Sequence, residues 1–424
     1  MSKLALLGGS PVIDRPLTPY RTIGEEERAA VDRVMSSGKL SGFVGAWCDD
    51  FAGGPEVRAF EAAWCERFGT AHAITVNSNT SGLFASMGAV GVGPGDEVIV
   101  PPYTMSATAM APLIYGGIPV FVDIEAETFC LDPAKVREAI TPRTRAIIAV
   151  NLFGHPAALH ELRRLADEKG IALIEDNAQA PLATENGRYA GTIGHIGVFS
   201  LNYHKHFHTG EGGVCTTDDA RLAQRLQMIR NHGENVVEPL GVTDLANLIG
   251  FNYRLTELSA AIGIEQLKKA ERLVARREQI ANRMTAALSD LPGLVPPAAR
   301  TNCRHVYYVW VMRYDEAVVG IPRSLFCKAL AAEGFPAAEG YVAPLYLLPI
   351  FQRRIAVGDK GFPFNLANRT YEPGLCPVTE RMHEKELLEF HICSYEVTDE
   401  ECEKLIAAMR KVYSQRDALR KLAA

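Results

Sequence analysis

One lysine sits in unusual company. The stretch Ser200-Leu-Asn-Tyr-His-Lys205-His-Phe-His-Thr-Gly-Glu-Gly-Gly213 sets Lys205 among histidines. Before it comes an apolar strand end, Gly197-Val-Phe-Ser200; after it, a glycine cluster leads into Val-Cys-Thr-Thr. Two strands and a joining loop follow from that pattern, and loops at strand ends concentrate functional side chains. A lysine amine held near neutrality can form a Schiff base with an aldehyde cofactor such as pyridoxal phosphate (PLP). A lone loop lysine is ordinarily just solvated, but a second motif shifts the balance. Ile171-Ala-Leu-Ile-Glu175-Asp176-Asn177-Ala-Gln179-Ala180 is an apolar run that ends in acidic and amide side chains. It reads as a buried parallel strand with a carboxylate at its C-terminal edge, where open α/β sheets bind ligands. Asp176 is a candidate partner for a protonated pyridinium nitrogen, against the plainer reading of a turn or cap residue. Lys205 should follow on the next strand but one, a separation that lets both side chains meet at one sheet edge.

A phosphate site can be placed by the same logic. Val76-Asn-Ser-Asn79-Thr80-Ser-Gly82 joins the apolar Ala71-Val76 stretch to a helix-like run beginning at Leu83. Polar residues there would put free backbone N–H groups and hydroxyls at a helix N-terminus, as would an ordinary N-cap.

With these motifs in this order, the chain resembles the DegT-type sugar aminotransferases, PLP enzymes of the aspartate-aminotransferase fold (fold type I). Further anchors are Gly95-Asp-Glu-Val-Ile-Val-Pro-Pro102, Thr209-Gly-Glu-Gly-Gly213 and Gly250-Phe-Asn-Tyr-Arg-Leu-Thr-Glu257, so the resemblance covers nearly the whole length. It implies that Lys205 carries the internal aldimine, that Asp176 pairs with the ring nitrogen and that Gln179 lies near the ring's phenolic oxygen. It also implies that Ser200 and the backbone around Asn79 and Thr80 hold the phosphate. The family usually has glycine where this chain has Asn79, a residue type that tolerates left-handed geometry. Met105 stands where an aromatic residue commonly stacks on the ring, with Tyr103 nearby. The residue matching Asn252 touches the cofactor phosphate of the partner subunit in the family, which implies a homodimer with shared active sites. Tyr341, Arg254 and His305 are substrate-contact candidates by family position alone, each with a packing alternative.

The implied reaction moves an amino group from L-glutamate or glutamine to a keto-sugar, most often nucleotide-linked, by a ping-pong mechanism. One alternative is an unlinked cyclitol or other keto substrate, because the opening Leu4-Ala-Leu-Leu-Gly-Gly-Ser-Pro-Val resembles some aminocyclitol-forming members. Another is a non-catalytic regulatory protein on the same fold, which the intact Lys205 and Asp176 disfavour. Dehydratases on this fold replace the lysine by histidine; here the lysine itself is in register.

The supporting elements alternate strand and helix patterns, as a doubly wound sheet requires. Strands are predicted at 71–76, 97–100, 119–122, 146–150, 172–175 and 196–200, with helix-like stretches at 157–169 and from Thr256 to about Leu288. The expected architecture is a large PLP-binding α/β domain, 1–290, with a mostly parallel central sheet sandwiched by helices. A smaller C-terminal α+β domain, 291–424, should follow, beginning with the strand-like Val306-Met312 and closed by a helix over 399–415. The first 25 or so residues should pack near that smaller domain. The glycine-rich Ser41-Pro55 segment, with Trp47, suits a loop at a substrate mouth or a surface insertion.

Composition limits the function classes. A chain of 424 residues, 47% hydrophobic and 22% charged, can bury a large core. A formal net charge of −6 with no basic cluster argues against nucleic acid as a partner. Neither a secretory signal nor a membrane span is expected, so a cytoplasmic location is the default. The nine cysteines form no C-x-x-C pair and read as reduced. His204, His206 and His208 lack a ligand set beyond Glu211, so no metal is expected.

Overall fold

The computed structural model describes residues 2–423. Its centre is a seven-stranded sheet made of β1 (His72–Val76), β2 (Glu97–Val100), β3 (Ile118–Phe121), β4 (Thr144–Val150), β5 (Ala172–Asp176), β6 (Ile196–Ser200) and β7 (Gly213–Thr217). The spatial order is β1-β7-β6-β5-β4-β2-β3. Every pairing from β6 through to β3 is parallel, while β7 runs antiparallel to both β6 and β1. The middle strands read as unbroken apolar runs because both faces are covered: Val98, Ile99, Ile147, Ile148, Leu173 and Ile174 are all fully buried. Strand ends shift by only one or two residues from the predicted ones.

Helices α1 (Pro55–Phe68), α2 (Asn79–Ala89) and α3 (Leu159–Lys169) belong to this layered body, and the 32-residue α4 (Glu257–Leu288) starts in its core, through Ala260, Leu267 and Val274, before running beyond it. Helix α2 lies so close to β6 that a Cβ on Gly82 would sit 2.6 Å from the Val198 Cγ1. Glycine there is what brings the helix N-terminus down to the strand ends.

A second, antiparallel sheet has the order β8 (Leu294–Val295), β9 (Trp310–Tyr314), β11 (Leu387–Phe390), β10 (Ala338–Glu339). Its core takes in the far end of α4 through Ile280, Met284 and Leu288. Helices α5 (Arg323–Ala332) and α6 (Asp399–Ser414) pack there too, as do Leu4, Ile13 and Leu17 from the N-terminal segment. Helix α6 starts on a capping box in which Thr398 accepts from the Glu401 N–H and Glu401 answers.

Two local expectations are corrected. The strand predicted from Val306 begins only at Trp310, because the Val306 and Tyr308 N–H groups donate to Gly154 and Phe153 carbonyls across a turn with Tyr307 at φ 50°. The short strand Thr184–Glu185 pairs with Arg188–Tyr189 on one side and Cys303–Arg304 on the other, in a separate sheet. That leaves β6 directly beside β5, so the lysine loop follows the adjacent strand of the sheet rather than the next but one.

Candidate active site

Strand β5 ends in two buried carboxylates that alternate faces, as neighbouring strand residues must. Glu175 is spent on the fold. It accepts N–H bonds from Gly191 (2.5 Å), Ile193 (2.7 Å) and Gly194 (2.6 Å) and an amide bond from Asn151 (3.2 Å). Asp176 faces the other way. Its Oδ2 accepts from the Thr108 hydroxyl at 2.8 Å, and Oδ1 accepts from the Asn79 amide at 3.3 Å and the Ala178 N–H at 3.2 Å. Burial pushes its carboxyl pKa up, opposed by the Thr108 and Ala178 hydrogen bonds and by the positive Lys205.

Lys205 lies on the loop between β6 and β7, whose ends are clamped by the Ser200–Gly213 pairing. The loop is anchored by consecutive side chains. Phe207 is buried against Trp64, and the fully buried His206 donates from Nε2 to the Val306 carbonyl at 2.9 Å. Tyr203 is left 68% exposed. Lys205 itself is buried, with its Nζ 4.3 Å from the centre of the Tyr308 ring. Among the described residues its amine has no hydrogen-bond or ion-pair partner. Burial pushes its pKa down to about 8, against the pull of Asp176. The same burial holds His206 at about 3 and, with the Lys205 charge, His204 at about 4, so both rings are neutral near pH 7.

A cavity of about 190 Å3 joins these groups. Lys205, Asp176, Asn79, Thr80, Met105, Gln179 and Ser200 all line it, so seven of the eleven predicted site residues meet in one place. At its α2 end, Ser78 caps the helix through the Ser81 N–H, and the Asn79 and Thr80 N–H groups have no acceptor among the described residues. The reason offered for Asn79 is corrected: it is not left-handed but opens the helix, and its side chain turns inward to Asp176 and the Val198 carbonyl. Met105 is 63% exposed, whereas Tyr103 is fully buried and donates to the Gly340 carbonyl at 2.6 Å. Tyr103 therefore cannot stand in for the missing aromatic.

The other four lie off the cavity. Tyr341 is one step away, its hydroxyl accepting from the Gln179 amide at 2.9 Å while Gln179 Oε1 takes the Phe153 N–H. Asn252 is exposed on the surface beside Asn77. Arg254 bonds the Asn231 Oδ1 at 2.9 Å and points toward Gly45 in the glycine-rich loop. His305 is buried, stacked on Tyr307 at 3.9 Å and accepting its N–H, so packing accounts for it and it does not reach the site. Thr108 and Tyr308 went unmarked. Thr108 lies in the same segment as Met105, but nothing local marks its hydroxyl as the Asp176 partner.

Comparison with known proteins gives a consistent result. The model of the DegT/DnrJ/EryC1/StrS aminotransferase family matches residues 21–410. The L-glutamine:2-deoxy-scyllo-inosose aminotransferase of Streptoalloteichus tenebrarius is 33% identical over 435 aligned positions, 98% of this chain and 99% of its own. Among solved structures, DesI in the presence of its TDP-sugar product is 30% identical with a TM-score of 0.81, covering 99% of both chains. DesV of S. venezuelae in complex with a ketimine intermediate is 30% identical with a TM-score of 0.79, covering 94% of this chain and 99% of its own.

Proposed function

The chain belongs to the DegT/DnrJ/EryC1/StrS aminotransferase family, and from that premise we propose that it transfers the amino group of L-glutamate or L-glutamine to the ketone of a nucleotide-linked sugar. That it is a PLP-dependent sugar aminotransferase of this family follows from the membership itself. Transamination is supported chiefly by the unpaired Lys205 amine facing the same cavity as Asp176, and the nucleotide-linked ketone by the likeness to DesI in the presence of its TDP-sugar product.

The residues fit the cofactor. The free N–H groups of Asn79 and Thr80, with the Ser200 hydroxyl, suit its phosphate, and the Asp176 carboxylate suits a protonated ring nitrogen. Gln179 and Met105 line the space between. When bound, PLP supplies the aldehyde carbon that takes the amino group and the ring that accepts the electron pair left at the donor Cα. Lys205 provides the neutral amine that anchors it and then moves the proton away from the donor Cα. Thr108 and Asn79 fix the direction of the Asp176 carboxylate. Ping-pong kinetics follow, because donor and ketone use one amine and one cavity in turn.

Residues 1–290 are read as the cofactor domain and 291–424 as the smaller one, a division the second core supports. The exposed Asn252, with Ile249 at 64% and Leu245 at 58% exposure beside it, supports an isologous homodimer in which each copy completes its partner's site.

A second reading, an unlinked cyclitol as ketone and L-glutamine as donor, is favoured by the full-length similarity to the 2-deoxy-scyllo-inosose enzyme. The test is sequential. The PLP-loaded protein is mixed with L-glutamate or L-glutamine and the loss of its visible absorption followed. The aminated form is then offered TDP-4-keto-6-deoxyglucose or 2-deoxy-scyllo-inosose. Recovery of the visible band with the first alone supports the nucleotide-sugar reading, and with the second alone the cyclitol. No response to either amino donor would overturn both donor assignments.

A further inference from the structure

Behind the lysine loop, a separate hollow of about 350 Å3 opens where the N-terminal strap, α4 and residues 395–398 meet. The strap is held there by backbone bonds: Tyr20 N–H donates to the Ser394 carbonyl at 3.0 Å and Glu396 N–H to the Thr18 carbonyl at 2.8 Å. Arg21, Thr22, Arg272, Arg276, Arg277 and Glu396 line it. Arg276 is already engaged, by Asp399 at 2.8 Å, by Gln279 and by the Val397 carbonyl. Arg277 is not. Only 4% exposed, it lies 3.5 Å over the Tyr20 ring and reaches the Leu273 and Tyr395 carbonyls only at 3.5 and 3.3 Å. Its Nε and the buried Thr22 hydroxyl have no hydrogen-bond partner among the described residues. Arg21 and Arg272 are exposed and likewise have no ion-pair or hydrogen-bond partner among them. Four guanidiniums thus face two carboxylates, Glu396 and the Asp399 on Arg276, in a chain whose formal net charge is −6.

A surplus of positive charge beside orphaned buried donors is a high-cost arrangement unless something negative completes it. Guanidinium forks match the oxygens of phosphate. The geometry points to a binding site for a phosphate-type dianion, either inorganic phosphate or the phosphate of a small metabolite, held by the guanidiniums of Arg21, Arg272 and Arg277. The site adjoins the lysine loop through Tyr20, whose hydroxyl donates at 2.7 Å to the carbonyl of His206, the residue after Lys205.

The test uses the PLP-saturated enzyme, so that the cofactor's own phosphate position is filled. Inorganic phosphate and glycerol 3-phosphate are titrated separately at constant ionic strength, reading heat and melting temperature. Saturable binding with a rising melting temperature is expected for at least one of them. The double variant Arg21→Ala/Arg272→Ala should weaken that binding at least about tenfold, as loss of charge-assisted hydrogen bonds requires, and leave turnover in phosphate-free buffer unchanged. Tighter binding of the ester would identify a metabolite as the ligand, and equal or weaker binding the free ion. No saturable binding of either probe, or undiminished binding in the double variant, would overturn the site.

Discussion

The sheet edge and the second core each bury a lysine to the same extent, and they use it in opposite ways. Lys205 and Lys411 are both 7% exposed. Lys411 is matched: its Nζ lies 2.9 Å from a fully buried Glu333 oxygen and donates to the Ser10 carbonyl at 2.9 Å. Glu333 also accepts from the Ala5 and Val12 N–H groups, so the pair ties the N-terminal segment to α5 and α6. Lys205 has only the Tyr308 ring and the field of Asp176. A buried cation with partners holds a fold together, and one without them is kept reactive at the expense of stability.

The largest effects should come from removing each amine while keeping its stem. Lys205→Met should lower turnover by roughly 10⁴-fold or more, the scale of losing a positioned proton carrier, yet leave the melting temperature of the cofactor-free protein unchanged or higher. Retained turnover would remove Lys205 from the chemistry, and a large drop in melting temperature would show that its burial is compensated after all.

Lys411→Met should do the reverse. Breaking a buried ion pair costs about 3–5 kcal/mol, visible as a lower denaturant midpoint, with turnover per folded molecule unchanged. A variant as stable as the parent would dissolve the contrast.

The smallest and most specific test is pH. Below about 8 the Lys205 amine is protonated and cannot attack an aldehyde. Cofactor capture by the cofactor-free protein should therefore rise about tenfold per pH unit up to that point and then level off. The stability effect has a definite sign as well. The folded pKa lies below the unfolded one, so the unfolded chain binds the extra proton between about 8 and 10.5, and the contribution of Lys205 to stability rises with pH across that window. Lys205→Met should flatten both profiles; a capture rate independent of pH from 6 to 9 would contradict a neutral-amine requirement.

Much of this was legible in the sequence, for identifiable reasons. Strands buried on both faces advertise themselves as apolar runs, and the polar residues that interrupt them at Asp176, Ser200 and Asn79 mark the ligand edge, because parallel strands bring their C-terminal ends together. Less legible was the chain after Val306. His305 and Tyr308 stand three residues apart in one aromatic segment, yet one stacks on Tyr307 away from the cavity and the other lies beneath the Lys205 amine. The turn at Tyr307 separates them, and it depends on hydrogen bonds to Phe153 and Gly154 about 150 positions earlier.

By itself, then, the sequence determined the sheet and the order of its strands along the chain, and it put Lys205 and Asp176 at strand ends on one edge of that sheet, since local periodicity and composition carry those signals. Only the tertiary structure decided that Lys205 would have no partner while Lys411 has two. It alone decided that Glu175 serves the fold and Asp176 the cavity, and that Arg277 and Thr22 share a hollow. Each of these depends on which distant segments exclude water together, and burial, not residue type, sets whether a charge is paired, shifted or left waiting.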